Sequence, residues 1–435
     1  MGLGAIEHIV VLMLENRSFD CLLGTLYPPS NRFKGLPAGA FNTDLLGNRI
    51  AAWSHPGLSD AEMTIPTPDP GELFEDVTMQ IFNGRPTESM SGFAQNYQVQ
   101  CEQALYDPKN VMHHYQDHQV PVIRSLARHF AVCDRWHASA PCQTWPNRFF
   151  AHTGTAGGYV NNMPTHFPYR MPTVFGRLRD AGKSSRIYFH DFPQALTLEE
   201  LWWRPFHFRH FNDFRKHARK GTLPAYSFIE PRYFTLFSRL PNDQHPPHNV
   251  TLGEQLIAEV YNAVRHGKHW DKTLLIITYD EHGGLYDHEP PPPATPPSKA
   301  PAGQFAFDRY GVRVPAVLVS PYIEPGTILR PPGDRPFDHT SIIATLRERF
   351  FPNAKPLTAR DGSAPHLGSV LKLPTPSNNG PETVRALPYE PSGEEIRRVK
   401  SAPPNHHQRA LRKAPLRIKA MMWAVRACAW IVSLF

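Results

Sequence analysis

The sequence predicts an α/β fold in which helices flank a mostly parallel central sheet. First, continuous apolar runs, typical of strands buried on both faces, alternate with amphipathic helical patterns. Second, pairs of polar residues follow three of these runs directly: Glu15 and Asn16, His190 and Asp191, and Asp280 and Glu281. Because ligands bind such sheets outside the carboxyl ends of the strands, we expect the functional site there.

These patterns place the main elements in chain order. Strand-like apolar runs cover residues 7–16, 184–193, 272–284 and 313–323. Helical patterns cover residues 120–130, 173–182, 252–267 and 339–350. The third of these helices ends on a glycine, which is a usual stop signal.

Composition and charge exclude several classes of protein. The chain has 435 residues and is 41% hydrophobic, which suits one large domain or two smaller ones. Nine Lys and Arg residues and no acid lie in residues 396–435, so the net charge of +7 comes from the tail. We therefore expect no nucleic-acid partner. The five cysteines lack the spacing of a zinc knuckle or a disulfide framework.

Two polar stretches each allow a chemical and a structural use. Glu15 and Asn16 offer oxygens that suit a divalent metal, although a helix cap at Asn16 or Ser18 would explain them too. Thr144 lies in a proline-bounded turn before Arg148. A hydroxyl beside a metal can be deprotonated and attack phosphorus or a carbonyl carbon, whereas a simple turn before a helix often contains the same residue.

Two further stretches contain histidines and acids. Asp243, His245 and His248 lie on one proline-stiffened loop, where a histidine could protonate a leaving group or hold a phosphate. The alternative is a set of exposed surface residues. Asp280 and Glu281 are adjacent acids at the end of a strand, and burial would make them repel each other unless a metal is bound. A solvated loop is the alternative here.

Together these stretches resemble the phosphoesterase family of bacterial and plant non-specific phospholipases C and acid phosphatases, which belongs to the alkaline-phosphatase-like superfamily. The resemblance implies an alkaline-phosphatase-like sandwich. The matching stretches occur in family order: ENRSFDCLLG at 15–24, QTWPNRFF at 143–150, FIEPRY at 228–233, NDQHPPH at 242–248, DEHGGLYDHEPPP at 280–292, GVRVPAVLVSPYI at 311–323 and FDHTSIIATLRERF at 337–350.

The resemblance also implies a role for each matching residue. It implies one divalent metal ion (Ca, Mg, Mn, Zn or Fe) held by Glu15, Asn16, Thr144, Asp280 and Glu281, with Thr144 as the nucleophile. His245 and His190 would be catalytic residues. The substrate phosphate would be bound by Asn16, Glu72, Arg148, His190, His245 and His248. The residues that contact and orient these ligands would be Asp243, Asp287, His288 and His339.

One position departs from the family pattern. Many members carry a histidine in a DPGH stretch that contacts the phosphate, whereas this chain reads DPGELF at 69–74. Glu72 therefore replaces that histidine. A carboxylate repels a phosphate unless it is protonated or binds a metal, so the departure leaves open a second metal or a changed substrate.

We expect a catalytic domain over residues 1–372, a proline-rich wrapping segment over 373–404 and a basic, hydrophobic C-terminal helix over 405–435. Residues 416–435 are interrupted by Arg426, which favours a helix on an anionic membrane surface over a membrane span. Packing of this helix against the domain is the alternative. The first residues lack a signal-peptide pattern, so we expect a cytoplasmic or peripheral-membrane protein.

The expected function is metal-dependent hydrolysis of phosphate esters. The resemblance favours phospholipase C-type cleavage of phosphatidylcholine-like phospholipids through a phosphothreonine intermediate. The alternatives are a phosphomonoesterase for soluble substrates and a catalytically inactive relative. A sulfatase-like enzyme is disfavoured because the sequence TWPNR, the nearest stretch to the Cys/Ser-x-Pro-x-Arg pattern, begins with threonine.

Overall fold

The computed structural model describes residues 2–100, 107–298, 305–331, 333 and 335–433. Ten strands occur among these residues: β1 (His8–Leu14), β2 (Phe41–Thr43), β3 (Arg49–Ala51), β4 (Ala131–Cys133), β5 (Ser185–Phe189), β6 (Phe208–His210), β7 (Tyr226–Ile229), β8 (Thr273–Tyr279), β9 (Ala316–Val319) and β10 (Thr327–Leu329).

The same residues form fourteen α-helices: α1 (Phe19–Leu22), α2 (Asp60–Met63), α3 (Phe74–Phe82), α4 (Phe93–Gln100), α5 (Pro121–His129), α6 (Thr144–Thr153), α7 (Val174–Asp180), α8 (Phe211–Lys220), α9 (Val250–Arg265), α10 (Thr340–Phe350), α11 (Ala359–Ser363), α12 (Gly393–Ser401), α13 (His406–Arg412) and α14 (Leu416–Ser433). The four predicted helices correspond to α5, α7, α9 and α10, with each end within two residues of its predicted position.

Eight strands form the central sheet, in the order β10-β4-β9-β8-β1-β7-β5-β6, while β2 and β3 pair separately. β1 lies near the centre and runs parallel to β7 and β8. Both β1 and β8 are buried along their whole length, which explains their continuous apolar sequences. The predicted α/β class, with a mostly parallel sheet flanked by helices, is confirmed.

One predicted strand runs in the other direction. The run at 313–323 forms only the short strand β9, which is antiparallel to both β4 and β8. A parallel connection requires a crossover, usually through a helix. Among the described residues between β8 and β9, at 280–298 and 305–315, there is no helix. The chain therefore returns beside β8 in the opposite direction.

Two groups of helices pack around the sheet. α9 contacts both α5 and α8, and α6 contacts both α7 and α10. The core they enclose extends to the C-terminal tail, because Ile418, Val425 and Ala429 of α14 belong to the main hydrophobic cluster. Burial of this apolar surface is the main force holding the tail to the body.

The tail otherwise packs at the edge of the sheet, where α14 contacts β6. No helix among the described residues is long and apolar enough to cross a membrane. The four cysteines in the described part of the chain are free thiols, and Cys101 lies outside it.

Candidate active site

The register of β1 and β8 brings two predicted site residues together. Leu14 pairs with Tyr279 at the carboxyl ends of these parallel strands. Glu15 and Asp280 are the next residues of each strand, and both are fully buried. The two residues are far apart in the sequence, but adjacent parallel strands place the residues that follow them at the same edge of the sheet.

Asn16 links the acids of this edge. Its backbone N–H donates to Asp280 Oδ1 at 3.1 Å, and its Nδ2 donates to Glu281 Oε1 and to Glu72 Oε1, both at 2.7 Å. Asn16 has a left-handed backbone, with φ of 56°, which asparagine tolerates better than most residues. Gly283 is also left-handed, and a Cβ there would clash with the Asn16 carbonyl. The turn after Glu281 thus requires glycine.

Helix α6 contributes the hydroxyl and a cation. Thr144 is its first residue, and its Oγ1 is buried with no hydrogen-bond partner. The helix N-terminus favours negative charge at this position. Arg148 follows one turn later, where its Nε donates to Asp280 Oδ2 at 3.0 Å and its Nη2 lies 3.4 Å from Glu15 Oε1. Arg148 therefore binds the two acids, and its contact with the substrate phosphate stays a prediction.

The histidine loop docks against the end of β1. The Asp243 carbonyl accepts a hydrogen bond from the Glu15 N–H at 2.9 Å. Asp243 Oδ1 accepts from the His245 N–H at 3.1 Å and lies 2.6 Å from His248 Nδ1. His245 Nε2 lies 3.0 Å from Glu72 Oε1. The structure thus places His245 beside the acids, while His248 stabilises the loop.

The electrostatics of the cluster favour a bound cation. Burial raises the pKa of Glu15 and of Asp280 to about 7 despite the nearby Arg148. Burial also raises the pKa of Glu281 well above its usual value, and Glu72 and Asp280 add repulsion. A positive ion would remove this penalty on ionised carboxylates.

Glu72 and His245 form a buried ion pair. Burial opposes charge on both groups, but their mutual attraction outweighs it. The pKa of Glu72 is lowered to about 2, and the pKa of His245, which also faces Asp69, is raised well above its usual value. Glu72 therefore carries negative charge where the family pattern has a histidine.

Several buried oxygens of the predicted metal ligands are unpaired. Glu15 Oε1 and Oε2, Asn16 Oδ1 and Thr144 Oγ1 all lack a hydrogen-bond partner. They come from three of the five predicted ligand residues, and carboxylate, amide and hydroxyl oxygens suit a divalent cation. The other two predicted ligands, Asp280 and Glu281, instead accept hydrogen bonds from their neighbours. The donor set fits a divalent cation.

Asp287 and His288 belong to a different network. Arg313 donates to Asp287 Oδ1 at 2.9 Å and to Asp20 Oδ1 at 3.1 Å. His288 Nδ1 lies 2.7 Å from Asp20 Oδ2. Asp20, Asp287 and His288 have the spacing of a metal group, but the Arg313 guanidinium already compensates the two carboxylates. The network ties α1 to the segment that follows Glu281.

Two other predicted histidines occupy different places. His339 Nε2 donates to the Asp280 carbonyl at 2.6 Å, while its Nδ1 accepts from Trp136, so it supports the site from behind. His190 follows β5, which is separated from β1 by β7. Its Nδ1 contacts the Glu230 carbonyl, and it lines a cavity of about 620 Å³ outside the acid cluster. Its catalytic and phosphate-binding role stays a prediction.

Sequence reasoning missed His407, which the tail inserts into the site. His407 is fully buried, its Nδ1 lies 3.0 Å from Glu15 Oε1, and neither ring nitrogen has a hydrogen-bond partner. The ring stacks on Tyr233 with centroids 4.4 Å apart and meets the edge of Trp145. A signal was present, because Asn405 and Gln408 form a capping box that predicts a helix starting at this histidine pair.

Comparison with known proteins decides the family. A model described as "Phosphoesterase family" matches residues 6–351. Non-specific phospholipase C3 of Arabidopsis thaliana is 37% identical over 410 residues, covering 88% of this chain and 76% of that protein. Non-specific phospholipase C6 of the same plant is 39% identical over 401 residues, covering 87% and 75%. The chain belongs to the phosphoesterase family.

This phosphoesterase is a hydrolase that acts on phosphoester bonds, as the sequence motifs predicted. A solved protein in the alkaline phosphatase superfamily, from Vibrio parahaemolyticus, is 10% identical over 53% of this chain and 60% of its own, with a TM-score of 0.32. A similarity this low supports no conclusion about the site. In the phosphoesterase, Ser18 rather than Asn16 caps the following helix, which leaves the Asn16 side chain to the acids.

Proposed function

We propose that this phosphoesterase is a metal-dependent, phospholipase C-type enzyme that uses Thr144 as its nucleophile. The observation that supports this most directly is the unpaired Thr144 hydroxyl, buried at a helix N-terminus beside an acid cluster with unpaired oxygens. A phosphomonoesterase acting on soluble substrates would use the same groups, so the leaving group is the point that experiment must decide.

Glu15, Asn16, Thr144, Asp280 and Glu281 would hold the divalent cation. When bound, this ion would lower the pKa of the Thr144 hydroxyl and offset charge on the phosphoryl oxygens. Thr144, once deprotonated, would attack phosphorus in line, and the positive end of α6 would stabilise the developing negative charge. Arg148 fixes the orientation of Glu15 and Asp280.

His245 would serve the leaving group. Its Nδ1 lies 2.6 Å from the Pro246 carbonyl and donates to it, so Nε2 is the atom that faces the acid cluster. In its protonated form, Nε2 can give a proton to the departing alcohol, which is diacylglycerol in a phospholipase C reaction, and the phosphorylated headgroup stays on Thr144. Water then cleaves the phosphothreonine bond and restores the hydroxyl.

The tail supports a lipid substrate. On α14, Leu416 and Trp423 lie seven residues apart on one face, with 83% and 71% of their surface exposed. Lys419 and Arg426 line a pocket of about 240 Å³ beside Trp423. Apolar side chains among basic ones are typical of a helix that lies on an anionic membrane. Thr144 is fully buried, so entry of a lipid headgroup would require the segments around it to move.

Three substrates separate the two candidate activities: phosphatidylcholine vesicles, p-nitrophenyl phosphorylcholine and p-nitrophenyl phosphate. We expect hydrolysis of the two phosphodiesters to exceed that of the monoester, and a chelator to abolish it reversibly, because the acid cluster needs its cation. Turnover confined to the monoester would replace the phospholipase proposal with a phosphatase. Full turnover of any substrate after exhaustive chelation would remove the metal from the mechanism.

Replacing His407 with alanine tests the contribution of the tail. We expect kcat/KM to fall about 10- to 100-fold, a loss typical of removing a group that orients metal ligands. The apparent affinity for Mn²⁺, measured by isothermal titration calorimetry, should fall with it. Lys413→Ala, at an exposed position at the end of the same helix, is the matched control. A lower melting temperature with unchanged kinetics and Mn²⁺ affinity would show that His407 serves packing alone.

A further inference from the structure

A second group of metal-ligand side chains lies directly beside the proposed catalytic site. Asp69, Glu72 and His245 each offer one donor atom, and these atoms lie within 4.8 Å of one another. Glu72 and His245 are fully buried, and Asp69 is half-buried. We propose that this group binds a second divalent cation, which makes the enzyme a two-metal phosphoesterase.

The main support for the proposal is a set of buried metal-ligand atoms without hydrogen-bond partners. Both Asp69 carboxylate oxygens, Glu72 Oε2 and His245 Nε2 are buried atoms without a hydrogen-bond partner. A proton on His245 Nε2 would contact only Glu72 Oε1, 3.0 Å away. Asp69 Oδ1 lies 3.6 Å from His245 Nδ1, while Asp69 Oδ2 and Glu72 Oε2 would still lack a partner. A cation can contact one oxygen of each carboxylate together with the imidazole nitrogen, so it accounts for more of these atoms than a proton does.

The orientation of His245 matches that of a metal ligand. Its Nδ1 donates to the Pro246 carbonyl, which fixes the ring and turns Nε2 towards Glu72, where a metal ion would displace the Nε2 proton. Metal-binding histidines almost always donate their other ring N–H in this way. One imidazole and two carboxylates are a donor set that suits Zn²⁺, Mn²⁺ or Fe²⁺.

Charge gives an independent reason. Five carboxylates, those of Glu15, Asp69, Glu72, Asp280 and Glu281, meet in this region. Arg148 and one divalent cation supply three positive charges, and a second divalent cation would offset two more of the negative charges. Among the described ion pairs, those of Asp69 and Glu72 are with His245 alone. Buried carboxylates without such compensation are costly.

The two sites would share a hydrogen-bonding bridge. Asn16 Nδ2 donates to Glu72 Oε1 of the second site and to Glu281 Oε1 of the first. Two cations so close can stabilise the attacking and the leaving oxygen of an in-line displacement. The inference rests on the proposed function and changes the role of His245 in it. His245 Nε2 would hold the second cation instead of a proton, the cation would offset the charge of the departing alkoxide, and water would supply the proton that makes it an alcohol.

Metal counting tests the second site. Purified full-length protein would be loaded with Mn²⁺ and desalted, and Mn would be measured per chain, with electron paramagnetic resonance to detect coupled ions. We expect about two Mn²⁺ per chain with a spin-coupled signal in the wild type, since paired catalytic metals lie about 3.5–4 Å apart. Glu72→Gln and Asp69→Asn should each retain about one ion and lose the coupled signal. Glu75→Gln, an exposed acid three residues after Glu72, should behave as wild type.

The remaining outcomes separate this inference from the proposed function. The wild type could bind one Mn²⁺ that Glu72→Gln and Asp69→Asn retain and Asp280→Asn loses. This result would overturn the second site and leave the first intact. Two ions that are unaffected by Glu72→Gln and Asp69→Asn would also overturn it, since the second ion would lie elsewhere. No bound ion together with chelator-resistant turnover would overturn both proposals.

Discussion

Thr144→Ala is expected to lower kcat/KM for the best phosphate-ester substrate about a thousandfold or more, because no other group can accept the phosphoryl group at this position. The Thr144 hydroxyl is buried, unpaired and placed at the first residue of α6. Metal affinity should fall less than activity, because four other ligand residues remain. The measurement is steady-state hydrolysis by purified variants whose melting temperatures have been compared.

Two further replacements at Thr144 separate chemistry from packing. Thr144→Ser keeps the hydroxyl and should retain activity within about tenfold, and it should form a phosphoserine that acid quenching traps. Thr144→Val keeps the shape but lacks the hydroxyl, so it should be as inactive as Thr144→Ala. If Thr144→Val retains activity, the residue serves only to begin α6, and a water molecule must attack phosphorus instead.

The central part of the fold was predictable from the sequence because strands that are buried on both faces consist mainly of apolar residues. β1 and β8 are surrounded by apolar neighbours on both faces, so their sequences are continuous apolar runs. The direction of β9 was not predictable in this way, because an apolar run has the same composition in either direction. Its direction depends on the connection from β8, which contains no helix among its described residues.

The same reasoning explains which site residues come together. Glu15 and Asp280 follow adjacent strands, so placing polar residues at strand ends was sufficient to join them. His190 follows a strand in the same way, but β7 separates that strand from β1. Neighbouring strands lie about 4.8 Å apart, so two steps across the sheet move a side chain beyond contact distance. Lateral strand order is a tertiary property that strand sequences do not contain.

His407 shows a second limit. A histidine pair in a basic tail resembles an exposed surface segment. Its burial depends on where the tail packs against the rest of the protein. Gln408 Nε2 donates to the Tyr233 carbonyl, and Leu411 enters the main core cluster, so the segment is held from both sides. The Gln408–Tyr233 hydrogen bond joins residues 175 positions apart, and local sequence patterns carry no information at that range.

Asp280→Asn is expected to lower kcat/KM about 100- to 1000-fold and to weaken Mn²⁺ binding at the first site by a similar factor. The replacement keeps the size of the side chain, so the loss reports charge and hydrogen bonding. Asp280 Oδ1 accepts from the Asn16 and Glu281 N–H groups, and Oδ2 accepts from Arg148 Nε. Asparagine can satisfy only one of these two sets, since its other terminal atom is a donor.

The matched control is Asp271→Asn, an exposed acid just before the start of β8. It should leave both activity and Mn²⁺ binding at wild-type values. Because Arg148 retains Glu15 and the carbonyls of Met13 and Leu14, Asp280→Asn should still fold, which a far-ultraviolet circular dichroism spectrum would check. A folded Asp280→Asn variant that binds Mn²⁺ and turns over like wild type would restrict Asp280 to anchoring Asn16 and Arg148. The metal would then depend on the unpaired oxygens of Glu15, Asn16 and Thr144, and the carboxylate pair at the end of β8 would be an architectural feature of the site.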